Sequence, residues 1–146
     1  MTNVMSQILQ MSLVIFENQM YNIINKTKKQ RSKKIMKKEN FEISEVYTIT
    51  VGLFDRESKK QEIKTAEAME MITRYTISYC GGGTIMSGNG VYTHDDGTVV
   101  VEPSIIIRIV DGKFEDVSNL VKDLQTFLNQ ESILVEIEEK KYCFVE

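Results

Sequence analysis

From Glu45 to Phe54 the chain alternates, with Tyr47, Ile49, Val51 and Leu53 on one side and Thr48 and Thr50 on the other. That period of two predicts a half-buried strand. Asp55–Lys60 reads as a polar turn. Over 65–76, Ala68, Met69, Ile72 and Tyr75 recur at helical spacing, with Thr65 as the expected N-cap. Gly81–Gly83 closes that helix. Two β-rich runs, 84–94 and 98–110, flank His94-Asp95-Asp96-Gly97, where Asp-Gly predicts a hairpin because both residues tolerate positive φ. A second helix is expected over 115–129, with Val117, Leu120, Val121, Leu124, Phe127 and Leu128 on one face. A strand over 132–138, with Ile133, Val135 and Ile137 alternating, leads through a turn at Glu139-Lys140 into a short strand, 141–145.

The order β-α-β-β-α-β is the split βαβ, or ferredoxin-like, arrangement, an α+β fold with two helices on one face of an antiparallel sheet. Pro103 falls inside a strand that this topology makes internal, where proline removes a ladder donor. A bulge or bend there is the expected resolution, with the distal hairpin leaning away and Glu102 re-aimed either into a pocket or into solvent.

Ahead of this domain, residues 4–24 carry Val4, Ile8, Met11, Ile15 and Tyr21 at near-helical spacing, and Lys26 to Lys38 follow as a basic run. The expected organisation is a helical, basic N-terminal extension, 1–40, and an α+β domain, 41–146. Charge sharpens this division. Residues 1–40 hold eight Lys/Arg against two Glu, net +6, and residues 41–146 hold ten against nineteen Asp/Glu, net −9.

Several motifs taken in order resemble a family of small bacterial and phage proteins known only as a domain of unknown function. They are Val51-Gly52-Leu53, Gly83-Thr84-Ile85, Gly88-Asn89-Gly90, Asp96-Gly97, Glu102-Pro103-Ser104 and the run Asn129 to Leu134. The resemblance covers about residues 45–145 and implies the fold but no activity. Met36 would make an ordinary start, so the first 35 residues are expected to be an added arm or an over-extended reading frame.

Candidate chemistry is sparse. His94, Asp95 and Asp96 are metal-ligand types, but they share one tight turn with no second histidine in the chain, so the turn accounts for them. Gly81-Gly82-Gly83 lacks the Lys-Ser/Thr of a phosphate loop. No catalytic constellation, metal site or cofactor is expected. Cys80 and Cys143 have no CxxC spacing and read as core thiols in a reducing cytoplasm. Residues 1–24 have no basic leader and are interrupted by polar residues, so no membrane segment is expected.

Three surfaces remain. The alternation puts Thr48, Thr50, Ile106, Arg108, Leu134 and Glu136 on the sheet face away from the helices, a mixed face that suggests self-association. Tyr92, His94, Glu102 and Arg108 are candidates for a small-ligand site. Lys28, Lys29, Arg31, Lys33 and Lys34 are candidates for phosphate contact. The leading functional expectation is a non-enzymatic binding protein, a homodimer that occupies a surface of a host protein or protein–nucleic-acid complex, as an accessory or anti-defence inhibitor of a phage or mobile element. The alternatives are a small-ligand or nucleotide binder, extending to a phosphodiesterase-type enzyme, and a nucleic-acid binder that uses the basic arm.

Overall fold

The computed structural model of the chain describes residues 2–32 and 37–145, with the backbone alone for 2–6, 8, 9, 12, 13 and 27–32. The chain divides into two compact units, Met1–Phe41 with Phe144–Glu146, and Glu42–Cys143. In the first unit, α1 (Thr2–Ser32) runs unbroken from the apolar segment into the basic run, and a 3-10 turn follows at Lys38–Asn40. Lys28, Lys29 and Arg31 belong to the end of α1, whereas Lys33 and Lys34 lie outside the described residues. Met11, Phe16 and Tyr21 are exposed on α1. No described helix is long and apolar enough to cross a membrane.

The second unit contains β1 (Glu42–Gly52), α2 (Thr65–Cys80), β2 (Thr84–Thr93), β3 (Val99–Val110), α3 (Phe114–Phe127) and β4 (Leu134–Tyr142). Its strands form one antiparallel sheet in the order β2-β3-β1-β4, a ferredoxin-like α+β fold. The odd-numbered positions of the central strands, Tyr47, Ile49 and Val51 of β1 and Ile105, Ile107 and Ile109 of β3, are buried. They pack with Ala68 and Ile72 of α2 and Val117, Leu120 and Leu124 of α3. Each fully buried aliphatic side chain contributes about 1.5–3 kcal/mol, so this one face carries most of the cohesion of the unit.

The structure corrects several expectations. The register between β2 and β3 is unbroken from Thr84↔Arg108 to Thr93↔Val99, so Pro103 causes no bulge. The Pro103 carbonyl accepts from Leu53 N–H at 2.9 Å. Its ring nitrogen therefore faces the same side, where β1 ends at Gly52, and no ladder bond is lost. Nor is there a turn at Glu139-Lys140 or a separate strand over 141–145, because β4 continues to Tyr142, paired with Glu42 of β1. Val135 and Ile137 do point to the helix side, yet they are 37% and 50% exposed, since this edge strand lies beyond the helices' cover. Thr65 is the first helical residue of α2 and not its cap, and its hydroxyl instead accepts from Gln61 Nε2 at 3.0 Å. In the hairpin turn only Gly97 takes positive φ. Asp96 instead accepts Thr98 N–H on its side chain at 2.8 Å. Cys80 is half-buried and packs against the core, whereas Cys143 is half-buried apart from it, and burial pushes the Cys80 thiol up, with the charge of Asp116 adding to it.

Candidate functional site

The sheet is uneven in length, and this makes a cleft. The last β1–β3 pair is Gly52↔Ser104, while the β2–β3 hairpin continues to Thr93↔Val99. The hairpin therefore overhangs the end of β1. By register, the face turned away from the helices carries Gly88, Gly90 and Tyr92 on β2, Val100, Glu102 and Ser104 on β3, and Gly52 on β1. The glycines at 52 and 90 make room for the side chains of Glu102 and Ser104, Ser104 is buried, and Tyr92 stands beside Glu102.

Glu102 is held by the backbone beside it. Its Oε1 accepts Phe54 N–H at 2.7 Å. A Cβ at position 52 would lie 2.6 Å from the Glu102 carboxyl carbon, so only glycine admits this rotamer. Tyr92 is the neighbour of Glu102. Burial raises the Tyr92 phenol above its ordinary pKa, and the charge of Glu102 and a hydrogen bond to it raise it further. The phenol thus remains a donor at neutral pH. His94 meets Tyr92 edge to face, with ring centroids 5.5 Å apart and planes at 87°.

The facing wall is built from two segments far apart in sequence. Asp55 begins a tight turn in which its Oδ1 accepts Glu57 N–H at 2.8 Å and Ser58 N–H at 2.9 Å, while Lys59 takes positive φ. These bonds, with one from Asn129, hold the Asp55 carboxyl below the usual carboxylate range. The second segment is the end of α3, where Asn129 is left-handed at φ 46°, Asn129 N–H donates to Thr126 O at 3.3 Å and Gln130 N–H to Gln125 O at 3.0 Å. This pair of bonds is a Schellman closure with asparagine in place of glycine. It turns the chain so that residues 129–131 reach the Asp55 loop. Arg56 N–H donates to Asn129 O at 3.0 Å, Asn129 Nδ2 to Asp55 Oδ2 at 2.8 Å, and Gln130 Nε2 to Phe54 O at 2.9 Å.

Together the hairpin and this wall enclose a cleft of about 540 Å³, a size typical of small-molecule sites. Of the residues singled out from sequence as a ligand site, Tyr92, His94 and Glu102 line it. Arg108 does not. It lies six residues along β3 from Glu102, about 20 Å away at ~3.3 Å per residue, opposite Thr84 and Thr48. Sequence reasoning missed Gly52, Phe54, Arg56 and Gln130, which also line the cleft. Gly52 and Gln130 both stand within motifs already noted, but the wall depends on contacts across 48 and 76 residues that carry no local signal.

The six residues expected on the open face do share it. Thr50 lies between Ile106 and Leu134, and Thr48 between Arg108 and Glu136. Met86, paired with Ile106, extends the first row and was not anticipated. Met86 is 45% and Leu134 58% exposed. The row Gly88–Ser104–Gly52 runs from this patch to the cleft.

No protein-family model matches the chain and no curated protein does, so the family resemblance noted in the sequence gains no support from either. Solved structures are similar. One is a phage SAM lyase in complex with S-methyl-5′-thioadenosine, 27% identical, with a TM-score of 0.50, over 70% of this chain and 90% of that one. Another is a phage SAM lyase in its apo state, 23% identical, with a TM-score of 0.51, over 77% and 95% of the two chains. A nitrogen regulatory PII-like protein from Thiomonas intermedia K12, bound to ADP, AMP and bicarbonate, is 17% identical at a TM-score of 0.43, over 70% and 94%. The chain is thus an α+β protein of ferredoxin-like fold, by its own strand order, and it is similar to phage SAM lyases.

Proposed function

We propose that the cleft binds an adenosyl sulfonium of the S-adenosylmethionine (SAM) type and cleaves it, releasing S-methyl-5′-thioadenosine. The observation that carries this reading is a 27% identity, over 90% of its length, to a phage SAM lyase holding that thioadenosine, together with a cleft lined by Tyr92, His94 and Glu102. It favours the ligand-binding alternative over a purely non-enzymatic protein.

The chemistry asks little of the protein beyond placement. When the Cγ–S bond breaks, its electron pair leaves on sulfur, which becomes a neutral thioether. The substrate's own carboxylate oxygen bonds to Cγ in the same step, so the second product is a five-membered lactone. Atoms and charge balance, and neither water nor a proton is consumed. A carboxylate next to sulfur would stabilise the cationic substrate more than a transition state in which that charge is fading. Glu102 is therefore assigned to binding and orientation, accepting hydrogen bonds from ribose hydroxyls, with Tyr92 as a donor beside it. Holding the chain folded for ring closure is the rate-enhancing step, since proximity of this kind is worth up to several kcal/mol.

The test is direct. SAM incubated with the protein should yield S-methyl-5′-thioadenosine by chromatography, and Glu102→Ala should remove the activity while leaving the thermal transition in place. No product, with no calorimetric binding of either nucleoside, would overturn the reading.

The open-face patch favours a second, compatible element, self-association through the rows around Thr50 and Thr48. A host-protein target has no feature of its own to support it.

A further inference from the structure

Gln130 is buried, 7% exposed, and it lines the cleft. A buried amide must place its polar atoms, and here both donors go to backbone carbonyls. Nε2 donates to Phe54 O at 2.9 Å and to Leu128 O at 3.1 Å. Phe54 is held from its other side as well, since its N–H donates to Glu102 Oε1 at 2.7 Å and its backbone forms a bridge with Gln61. The residue that fixes the Glu102 carboxylate is therefore itself fixed by Gln130, across 76 residues of sequence. The other hydrogen bonds between the two wall segments reach Asp55 and Arg56 and leave the Phe54 carbonyl to Gln130, and the Lys59–Glu131 ion pair at 3.7 Å joins side chains 69% and 81% exposed. Such exposed pairs hold little.

We infer that Gln130 is a positioning residue for the cleft: by holding the Phe54 backbone it sets where the Glu102 carboxylate stands, and so governs ligand binding without depending on ligand contact of its own. This rests on the reading of the cleft as a ligand site, but its consequence for Phe54 and Glu102 exists without ligand. Loss of the amide donors frees Phe54 O. The 54–55 peptide then shifts, the Phe54 N–H moves off Glu102, and the carboxylate turns toward solvent. Asparagine is too short to reach Phe54 O while keeping the bond to Leu128 O. Methionine keeps the volume and removes the donors.

The experiment is Gln130→Met on the full chain, alone and with Glu102→Gln, read in two ways. Without ligand, the Phe54 amide should exchange with solvent at least tenfold faster, and the Tyr92 phenol should titrate closer to an ordinary tyrosine because Glu102 has left it. With S-methyl-5′-thioadenosine, each single variant should weaken binding about tenfold or more by calorimetry, while the double variant should be no weaker than the worse single one. A multiplicative loss in the double variant would mean that Gln130 acts independently of Glu102, and it would overturn the inference. Unchanged Phe54 exchange and Tyr92 titration in Gln130→Met would overturn it equally. Should the variant unfold, Gln130→Leu, which also lacks the donors to Phe54 O and adds no charge to a buried position, gives the same ligand-free readout. If wild type binds no thioadenosine, the SAM reading fails while the exchange and titration results still decide the role of Gln130.

Discussion

The carboxylate of Glu102 occupies the space that a side chain on Gly52 would need. One residue ends a strand and the other overhangs it, and the absence of a Cβ on the first lets the second lie across the sheet. Gly52→Ala should therefore displace Glu102 while leaving the helix-facing core of Val51 and Ile105 alone. We expect a stability cost of about 1–2 kcal/mol from the lost Phe54 N–H to Glu102 bond, since the flexible carboxyl end can swing away from the new methyl, with a cooperative thermal transition and at least a tenfold loss of nucleoside binding. Calorimetry beside a melting curve checks both, and retained affinity would mean that Glu102 is not needed where it stands.

Tyr47 gives the domain an alkaline limit. Its buried ring ends in a hydroxyl that donates to Glu45, and that hydrogen bond, with burial and the Glu45 charge, pushes the phenol up to about 12. A phenol raised in the folded state stabilises the fold fully below the unfolded pKa of about 10, and that contribution is lost as pH rises through the folded value. Stability measured in urea should fall between pH 10 and 12. Tyr47→Phe should flatten the fall, and an unchanged slope would remove Tyr47 as its cause.

Thr76 carries a buried hydroxyl with no hydrogen-bond partner among the described residues. It sits on the core face of α2 with Ala68 and Ile72. Thr76→Val keeps the shape and removes a desolvated polar atom, a change worth about 1 kcal/mol in favour of the fold. For a unit of this size that is a rise of roughly 4–8 °C in melting temperature. A fall would show that the hydroxyl has a partner in solution.

The basic arm and the acidic domain should behave independently. Residues 41–146 alone should unfold cooperatively, and any affinity for nucleic acid should belong to the segment with Lys28, Lys29, Arg31, Lys33 and Lys34, and fall steeply with salt. Gel shifts of the full chain, the truncated chain and a variant with these five residues changed to Glu decide it. Binding that survives the reversal, or a molten truncated protein, would refute the division.

What could be read from sequence was whatever a single strand or helix encodes by its own period. Ile105, Ile107 and Ile109 alternate because one face is buried, and the same alternation put Ile106 and Arg108 on the other. Pro103 constrains its strand without a bulge, and a sequence does not say on which side the neighbouring strand stops. Glu139 and Lys140 looked like a turn because an edge strand exposed on both faces loses its hydrophobic alternation. Tyr92 and Glu102 share the cleft because a hairpin pairs strands locally. Gln130 and Phe54 meet through tertiary contact alone, and the left-handed Asn129 that brings them together lacks the glycine that would have marked it.

The open face gives the last prediction. Ile106 and Leu134 flank Thr50 across the sheet, Met86 extends the row, and Arg108, Thr48 and Glu136 form the next. Leu134 and Met86 remain substantially exposed. Buried against a second copy, Leu134 would contribute about 1–2 kcal/mol from area removed from water, Ile106, already partly buried, would contribute less, and a two-fold contact would count every such residue twice. Arg108 and Glu136, one row away, supply opposite charges for the rim. Ile106→Asp should leave the domain folded, because Ile105 and Ile107 on the other face are untouched, and should lower the mass seen by sedimentation to that of one chain. A wild-type protein that sediments as a single chain at high concentration would defeat self-association. Unfolding of Ile106→Asp would instead mean that this face is closed by the chain itself. Because the row Gly88–Ser104–Gly52 lies between this patch and the cleft, the same variant also asks whether the cleft needs its neighbour. Nucleoside affinity that falls in step with dissociation would tie ligand binding to assembly, and unchanged affinity in the single chain would separate them.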